Sequence, residues 1–427
     1  MSMGLAIPII VLVIAFLLRI PISVGMIMSA IFYFLYTGGN IGLIVDLVAS
    51  NLYSMYVAIA VPLFVFTANV MNSGTVTDRI FSFANTLVGR LQGGLGHVNV
   101  FASLIFSGMT GSALADAAGL GKMEIQAMRK QGYDGPFSCA ITAASATIGP
   151  IFPPSIPMVL YAMLSGASVG ALFLGGIIPG VLLAVALMVY VFFVAKKRNY
   201  PYGVKYAFRD FIVFTLKALP ALFTPVIILV GIYTGVMTAT EAGAIAALYG
   251  IIISIVAYRA LGLKSFIKTV VNTAMTTGNL GLLLGAAFCF SYIVQMEGLP
   301  QLVAEWMLGI TDSPVIFLLI VNIVFLILGM FLDTSIITFV FIPILLPLLD
   351  ALQIDLVHFG VVIVLNMMIG LSTPPFGMLL FIVSGISGEK LGSIIKESIP
   401  MFAVMLVVLL LITYIPEIVL FIPDMQQ

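Results

Sequence analysis

The chain of 427 residues is 62% hydrophobic and 8% charged, with a mean hydropathy of +1.24, where soluble domains are about half apolar and a quarter charged. Its apolar runs are long and continuous, near the ~20 residues that a spanning helix needs; this excludes a transmembrane barrel, whose strands are short and alternating, and leaves an all-α polytopic membrane protein. A formal net charge of zero gives nucleic-acid binding no support.

Positive residues gather in short connections, and that bias sets orientation. The reading starts outside the cytoplasm. A first helix at about 4–18 runs inward to Arg19. It resembles a signal-peptide core, but no small-residue cleavage site precedes Arg19 and Pro21, so it reads as a retained helix. Helices at about 22–36 and 48–71 follow, then an amphipathic interfacial arm ending near Gln92. About ten apolar residues, 98–106, lead into Ser107-Gly108-Met109-Thr110-Gly111-Ser112, and a small-residue stretch returns to Lys122, Arg129 and Lys130. Each limb reads as too short to span and both flanks are basic, which predicts a re-entrant hairpin. A crossing at about 136–166 is broken by Gly149-Pro150-Ile151-Phe152-Pro153-Pro154-Ser155, and a helix at 171–195 returns to Lys196-Lys197-Arg198.

The second half repeats this plan. After a linker at 196–217 come helices at about 219–236 and 243–258, a third ending near Glu297, and a second arm reaching Asp312. A second hairpin, about 314–349, has its tip at Gly329-Met330-Phe331-Leu332-Asp333-Thr334-Ser335. A second broken helix, about 357–386, is interrupted by Gly370-Leu371-Ser372-Thr373-Pro374-Pro375-Phe376, and a final helix spans about 398–420. Gly149, Pro153 and Pro154 recur 221 residues on as Gly370, Pro374 and Pro375, and Gly108-Met109 recurs as Gly329-Met330. Five crossings per half make the halves inverted repeats, 1–205 and 206–427. In the first, the scaffold is about 4–92 and the hairpin and broken helix about 93–166. In the second they are about 219–311 and 312–386. All 17 Lys and Arg then lie inside and both termini outside.

The breaks carry the chemistry. Half-helix N-termini offer free N–H groups to an anion, and half-helix C-termini offer carbonyls to Na⁺. Ser107, Gly108, Gly149 and Pro150 are the expected cation residues of the first half. Gly329, Asp333, Thr334, Gly370, Ser372 and Thr373 are those of the second. Thr110, Ser112, Asp116, Pro154, Ser155 and Asp333 are the expected substrate residues. An intramembrane carboxylate is costly and usually functional, and Asp116 or Asp333 could complete a Na⁺ shell, line the substrate cavity or carry a proton; Asp116 also reads as a hydrated limb acid and Asp333 as a helix cap. The tip hydroxyls also suit tight helix packing, and Glu241 reads equally as a favourable N-terminal acid. Cys139 and Cys289 lack a CxxC or His neighbour, and His97 and His358 lack a catalytic partner. With no GxSxG, HExxH or P-loop sequence, neither an enzyme nor an ATP-driven pump is indicated.

Several segments together resemble the large membrane subunit of the tripartite ATP-independent periplasmic (TRAP) transporters, the DctM/SiaM-like group. They are Pro62-Leu63-Phe64, Gly93-Gly94-Leu95, Phe106 through Ser112, Gly132-Tyr133-Asp134, Ile151 through Ser155, Pro179-Gly180, Thr240-Glu241-Ala242-Gly243, Gly329 through Asp333 and Thr373-Pro374-Pro375-Phe376-Gly377. The family more often has Ser-Gly-Ser where this chain has Thr110-Gly111-Ser112; a hydroxyl is kept. The resemblance covers nearly the whole chain. It implies an elevator-type transporter of a bacterial inner membrane that imports an organic acid with two or more Na⁺ ions. It implies two partners: a small four-helix membrane subunit, expected as a separate chain, and a periplasmic substrate-binding protein. Sialic acid and C4-dicarboxylates are the implied substrate classes, with a lean to sialic acid. The alternative is a standalone Na⁺- or H⁺-coupled dicarboxylate transporter or antiporter of the same superfamily.

Overall fold

The structure is a computed structural model that describes residues 3–54, 56–72 and 74–425. Every regular element among the described residues is helical, apart from an isolated antiparallel bridge between Gln92 and Tyr202. A helix satisfies its own backbone, which a bilayer demands. Among the described residues, seven helices are long and apolar enough to cross a membrane: Val169–Arg198, Phe208–Tyr233, Ala239–Ala257, Leu263–Met296, Pro314–Phe331, Thr334–Ala351 and Leu391–Tyr414.

The first half differs from the sequence reading in two places. The helix expected at 48–71 is two helices, Gly42–Ser54 and Ala60–Met71, with a 3₁₀ turn, Tyr56–Ile59, before the second. Pro62 falls in the first turn of that second helix, where its missing N–H leaves no bond unmade. The first hairpin limb is longer than its apolar run: it is Gly94–Thr110, 17 residues. Its return limb is itself interrupted, as Ala113–Ala118 and Leu120–Lys130. The arm is the helix Gly74–Val88, whose Val76, Ile80 and Ala84 are buried at i, i+4 spacing. It lies on the first hairpin limb and on Phe208–Tyr233.

In the second half, two prolines expected near helix boundaries lie inside helices. Phe208–Tyr233 contains Pro220 and Pro225, and Leu391–Tyr414 contains Pro400. The former begins well before position 219 because the Asp210 carboxylate accepts the Ala207 N–H at 3.1 Å and caps it. The linker therefore shortens to 199–207. The final helix stops at Tyr414, and a short helix, Glu417–Asp424, follows. The second hairpin limbs, Pro314–Phe331 and Thr334–Ala351, are 18 residues each, so both are long enough to cross.

The two halves interlock. Ile156–Ser165, the far piece of the first broken helix, packs on Thr334–Ala351 of the second hairpin. Met378–Ser387, the far piece of the second, packs on both pieces of the first hairpin's return limb. Ile156–Ser165 also meets the near piece of the second broken helix, Leu356–Leu371, through Tyr161. Tyr161 is fully buried, its hydroxyl donates to the Leu356 carbonyl at 2.8 Å, and a side chain at Gly360 would collide with its ring. At another point of contact the Arg198 guanidinium donates to Asp134 at 3.0 Å and to Glu397 at 2.7 Å, while Tyr200 donates to Asp134 at 2.6 Å. Arg198 thus ties the start of Gly135–Ala146 to Leu391–Tyr414. Burial raises the Tyr200 hydroxyl pKa, and the bond to Asp134 raises it further.

Tyr161→Ala should destabilise the purified protein by about 3–5 kcal/mol, as removal of a large buried ring does. Tyr161→Phe, which removes the hydroxyl alone, should cost about 1 kcal/mol. Denaturant titration in detergent measures both; equal costs would show that the ring is not the locking element.

Candidate functional site

The first break sits against the first tip. Gly111, at φ +60°, closes Gly94–Thr110, and a Cβ there would run into the Pro154 carbonyl oxygen. A Cβ on Gly149 would come within 3.3 Å of the Ser112 carbonyl carbon. Gly108 abuts Pro225, with a Cβ contact of 2.7 Å, so the tip also touches Phe208–Tyr233. The second break meets the second tip more closely. A Cβ on Gly370 would lie 2.8 Å from the Gly329 Cα, and one on Gly329 would lie 3.2 Å from the Gly370 Cα. Two backbones touch there with nothing between them, which only glycine allows. Both breaks carry a cis peptide bond, Pro153-Pro154 and Pro374-Pro375.

The hydroxyls at these ends turn back on their own helices. Ser107 donates to the Leu104 carbonyl, Thr110 to Phe106, and Ser372 and Thr373 both to Ile369. A hydroxyl that has given its hydrogen to the backbone presents only lone pairs. In the first break, the Ser155 hydroxyl donates to the Pro150 carbonyl, while the Gly149 carbonyl accepts no hydrogen bond among the described residues. In the second, the Gly370 carbonyl accepts the Thr373 N–H at 2.9 Å. No group of three His, Cys, Asp or Glu gathers among the described residues. The donors at these ends are therefore carbonyl and hydroxyl oxygens, a set suited to a hard cation.

Three expected substrate residues also cap half-helices. The Ser112 hydroxyl accepts the Ala115 N–H at 3.3 Å, Ser155 accepts Met158 at 3.2 Å, and the Asp333 carboxylate accepts Ser335 at 2.8 Å. Ser112 and Asp333 are half-buried, Ser155 and Thr334 buried. Beside the second tip a cavity of about 250 Å³ is lined by Gly329, Leu332, Leu371, Phe376 and Met378. A second cavity, about 360 Å³, carries Asn51, Ser291 and Gln295 beside Met163 and Pro343. Thr110, Ser112 and Ser155 line neither.

Asp116 is not the hydrated limb acid that was one expectation for it. It is 1% exposed, and the groups around it are Ser103 and Glu124 inside the first hairpin. Glu241 is a cap: its carboxylate accepts the Thr238 N–H at 2.8 Å. The sequence reading missed Asn99, Glu124, Asn322 and Asn366. Asn99 donates to Glu124 at 2.8 Å and to Thr142 at 2.7 Å, and Ser145 donates to Asn99 at 2.8 Å. Asn366 donates to the Asn322 amide oxygen at 2.7 Å, and Asn322 donates to Thr413 at 3.0 Å. The spacing of Asn99, Ser103, Ser107 and Thr110, one face of a helix, is the signal that could have found the first network.

The family model described as "Tripartite ATP-independent periplasmic transporter, DctM component" matches residues 9–418. The chain is 43% identical to the sialic acid TRAP transporter large permease protein SiaM of Vibrio cholerae, over 87% of each chain. It is 39% identical to the sialic acid TRAP transporter permease protein SiaT of Haemophilus influenzae, over 99% of this chain and 69% of that one. It is 38% identical to the C4-dicarboxylate TRAP transporter large permease protein DctM of Pseudomonas aeruginosa, over 86% of each. In fold it is similar to the Alcanivorax borkumensis YdaH transporter, at a TM-score of 0.63 and 15% identity over 86% of each chain. The chain belongs to the DctM-component family, the large permease of tripartite ATP-independent periplasmic transporters.

Proposed function

We propose that this permease imports an organic acid of the sialic-acid or C4-dicarboxylate class, driven by two or more Na⁺ ions. The observation that carries the reading is the paired closure of tip on break, Gly111 on Pro154 and Gly329 on Gly370. Each closure gathers carbonyls and hydroxyl lone pairs at an interrupted helix end. One ion would be held by Ser107, Gly108, Gly149 and Pro150. A second would be held by Gly329, Thr334, Gly370, Ser372 and Thr373, with the Asp333 carboxylate supplying negative charge. A bound ion supplies the positive charge that this part of the protein otherwise lacks. The acid would be received by Thr110, Ser112, Pro154, Ser155 and Asp333, aided by the N-terminus of Ile156–Ser165.

In this reading the hairpins and broken helices move as one body against the scaffold helices and arms. The halves are inverted repeats of an elevator-type transporter in a bacterial inner membrane, with both termini on the periplasmic side. A periplasmic binding protein delivers the acid, and a small four-helix membrane subunit completes the complex. Sialic acid is the favoured substrate, because the two sialic acid transporters above are 43% and 39% identical to this chain over the residues they align with it.

Proteoliposomes containing all three components should accumulate labelled sialic acid only under an inward Na⁺ gradient. Equal uptake without the gradient would remove the coupling. Accumulation of a C4-dicarboxylate in place of sialic acid would change the substrate and leave the coupling intact.

Asp333→Ala and Ser112→Ala should each lower uptake at least tenfold in protein that still assembles, as judged by size-exclusion chromatography. Wild-type uptake by both would take these residues out of the site.

Gly370→Ala should abolish uptake, because its methyl meets Gly329 backbone and opens the closure. Gly278, whose Cβ would meet nothing within 4 Å, is the control: Gly278→Ala should transport normally. Equal uptake by the two variants would show that the closure is dispensable.

A further inference from the structure

Two carboxyl groups lie buried in the first hairpin, apart from both closures. Asp116 and Glu124 are each 1% exposed. Three of their four carboxyl oxygens, both of Asp116 and Oε1 of Glu124, have no hydrogen-bond partner among the described residues. The fourth accepts from Asn99. The helices that carry Asp116 and Glu124 pack on one another, the two carboxyl groups are close enough to interact electrostatically, and Ser103 lies beside Asp116 without a hydrogen bond of good geometry.

No positive charge compensates them. On their own limb Lys122, Arg129 and Lys130 are exposed, and Arg129 is engaged by Glu389 and the Ser387 carbonyl. On Gly94–Thr110 the one titratable group is His97, which lies two residues from Asn99 and therefore on another face, near the Gln92 backbone. Gly135–Ala146 offers Ser138, Cys139, Thr142 and Ser145, and Met378–Ser387 offers serines. Two bare carboxylates in so apolar a place would cost several kcal/mol each.

What would neutralise them follows from their neighbours. Asn99 uses both amide hydrogens and its oxygen. Thr142 donates to the Ser138 carbonyl, and Ser103 donates to Ser145. These groups are satisfied among themselves, and only the carboxyl oxygens are not. A proton on a carboxyl converts an unsatisfied acceptor into a donor and removes the charge, with no change in the surrounding bonds. A metal ion would need more oxygens than the carboxyl groups offer, and the Asn99, Ser103, Thr142 and Ser145 oxygens would have to leave their present bonds to supply them.

The second half supplies a comparison. Asn366 stands 221 residues after Ser145, and there the contact between hairpin limb and broken helix is made by Asn322 and Asn366, with Thr413 of the final helix accepting from Asn322. The same joint is built there from neutral amide and hydroxyl groups, so the carboxyls are not required for packing. We propose that Asp116 and Glu124 form a proton-binding pair, at the base of a polar seam of Asn99, Ser103 and Ser145 that runs toward the 107–112 tip. The proton comes from water and returns to it, and no other bond changes.

Infrared spectroscopy of the purified permease in lipid nanodiscs tests this without transport, so its result is independent of the import reading. At neutral pH the wild-type protein should show the C=O stretch of protonated carboxyl groups. The band should shift on ¹³C labelling of Asp and of Glu, and should weaken in Asp116→Asn and in Glu124→Gln. Absence of a protonated-carboxyl band from wild type at neutral pH overturns the proposal, as does a band left unchanged by both substitutions. Loss of the band on adding Na⁺ at constant pH also overturns it, by assigning the pair to a metal ion. If neither variant folds, the labelled wild-type spectra alone decide: contributions from both Asp and Glu support the pair, and none refutes it.

Discussion

A helix can stop inside a bilayer only where other groups receive its last carbonyls and first N–H groups. Among the described residues the helix ends at the two tips and the two breaks meet in pairs, each hairpin tip pressed on a broken helix. The contact is backbone on backbone. Gly329 meets Gly370, and Gly111 meets the Pro154 carbonyl, with no room for a Cβ at any of these glycines. The hydroxyls around them bond backward to their own helices and leave oxygen lone pairs in the gap. The same constraint that keeps the backbone satisfied therefore builds an oxygen-lined site.

The exchange of packing between the halves keeps those closures together. Each broken helix sends its far piece to the other half's hairpin. Tyr161 locks the first broken helix to the second, and Arg198 with Asp134 and Glu397 locks another point of contact. Surface ion pairs contribute about 1 kcal/mol or less each, so the buried Tyr161 ring carries more of that lock than the guanidinium does.

The halves are alike in plan and unlike in chemistry. The second joint is an amide pair, Asn322 and Asn366, whereas the first buries two carboxyl groups around Asn99. The second tip carries its acid, Asp333, as a half-buried cap, whereas the first tip carries Ser112 at that role. Charge is thus placed at the tip in one half and behind it in the other.

The sequence alone determined the membrane class, the two breaks and the positions of the tips. Apolar run length and Gly/Pro placement act locally, so they can be read one segment at a time. It also singled out Ser112, Ser155 and Asp333, because polar residues at a break stand out against an apolar background. Tertiary structure decided the rest. Pro220 and Pro400 could not be seen to lie inside helices, since neighbouring helices stabilise such turns. Glu124 carries no local signal on a basic limb, and its burial comes from the helices packed against that limb, Gly94–Thr110 and Gly135–Ala146. Burial depends on residues far away in sequence, as Arg198 with Glu397 shows, and no local pattern encodes which face another helix will cover.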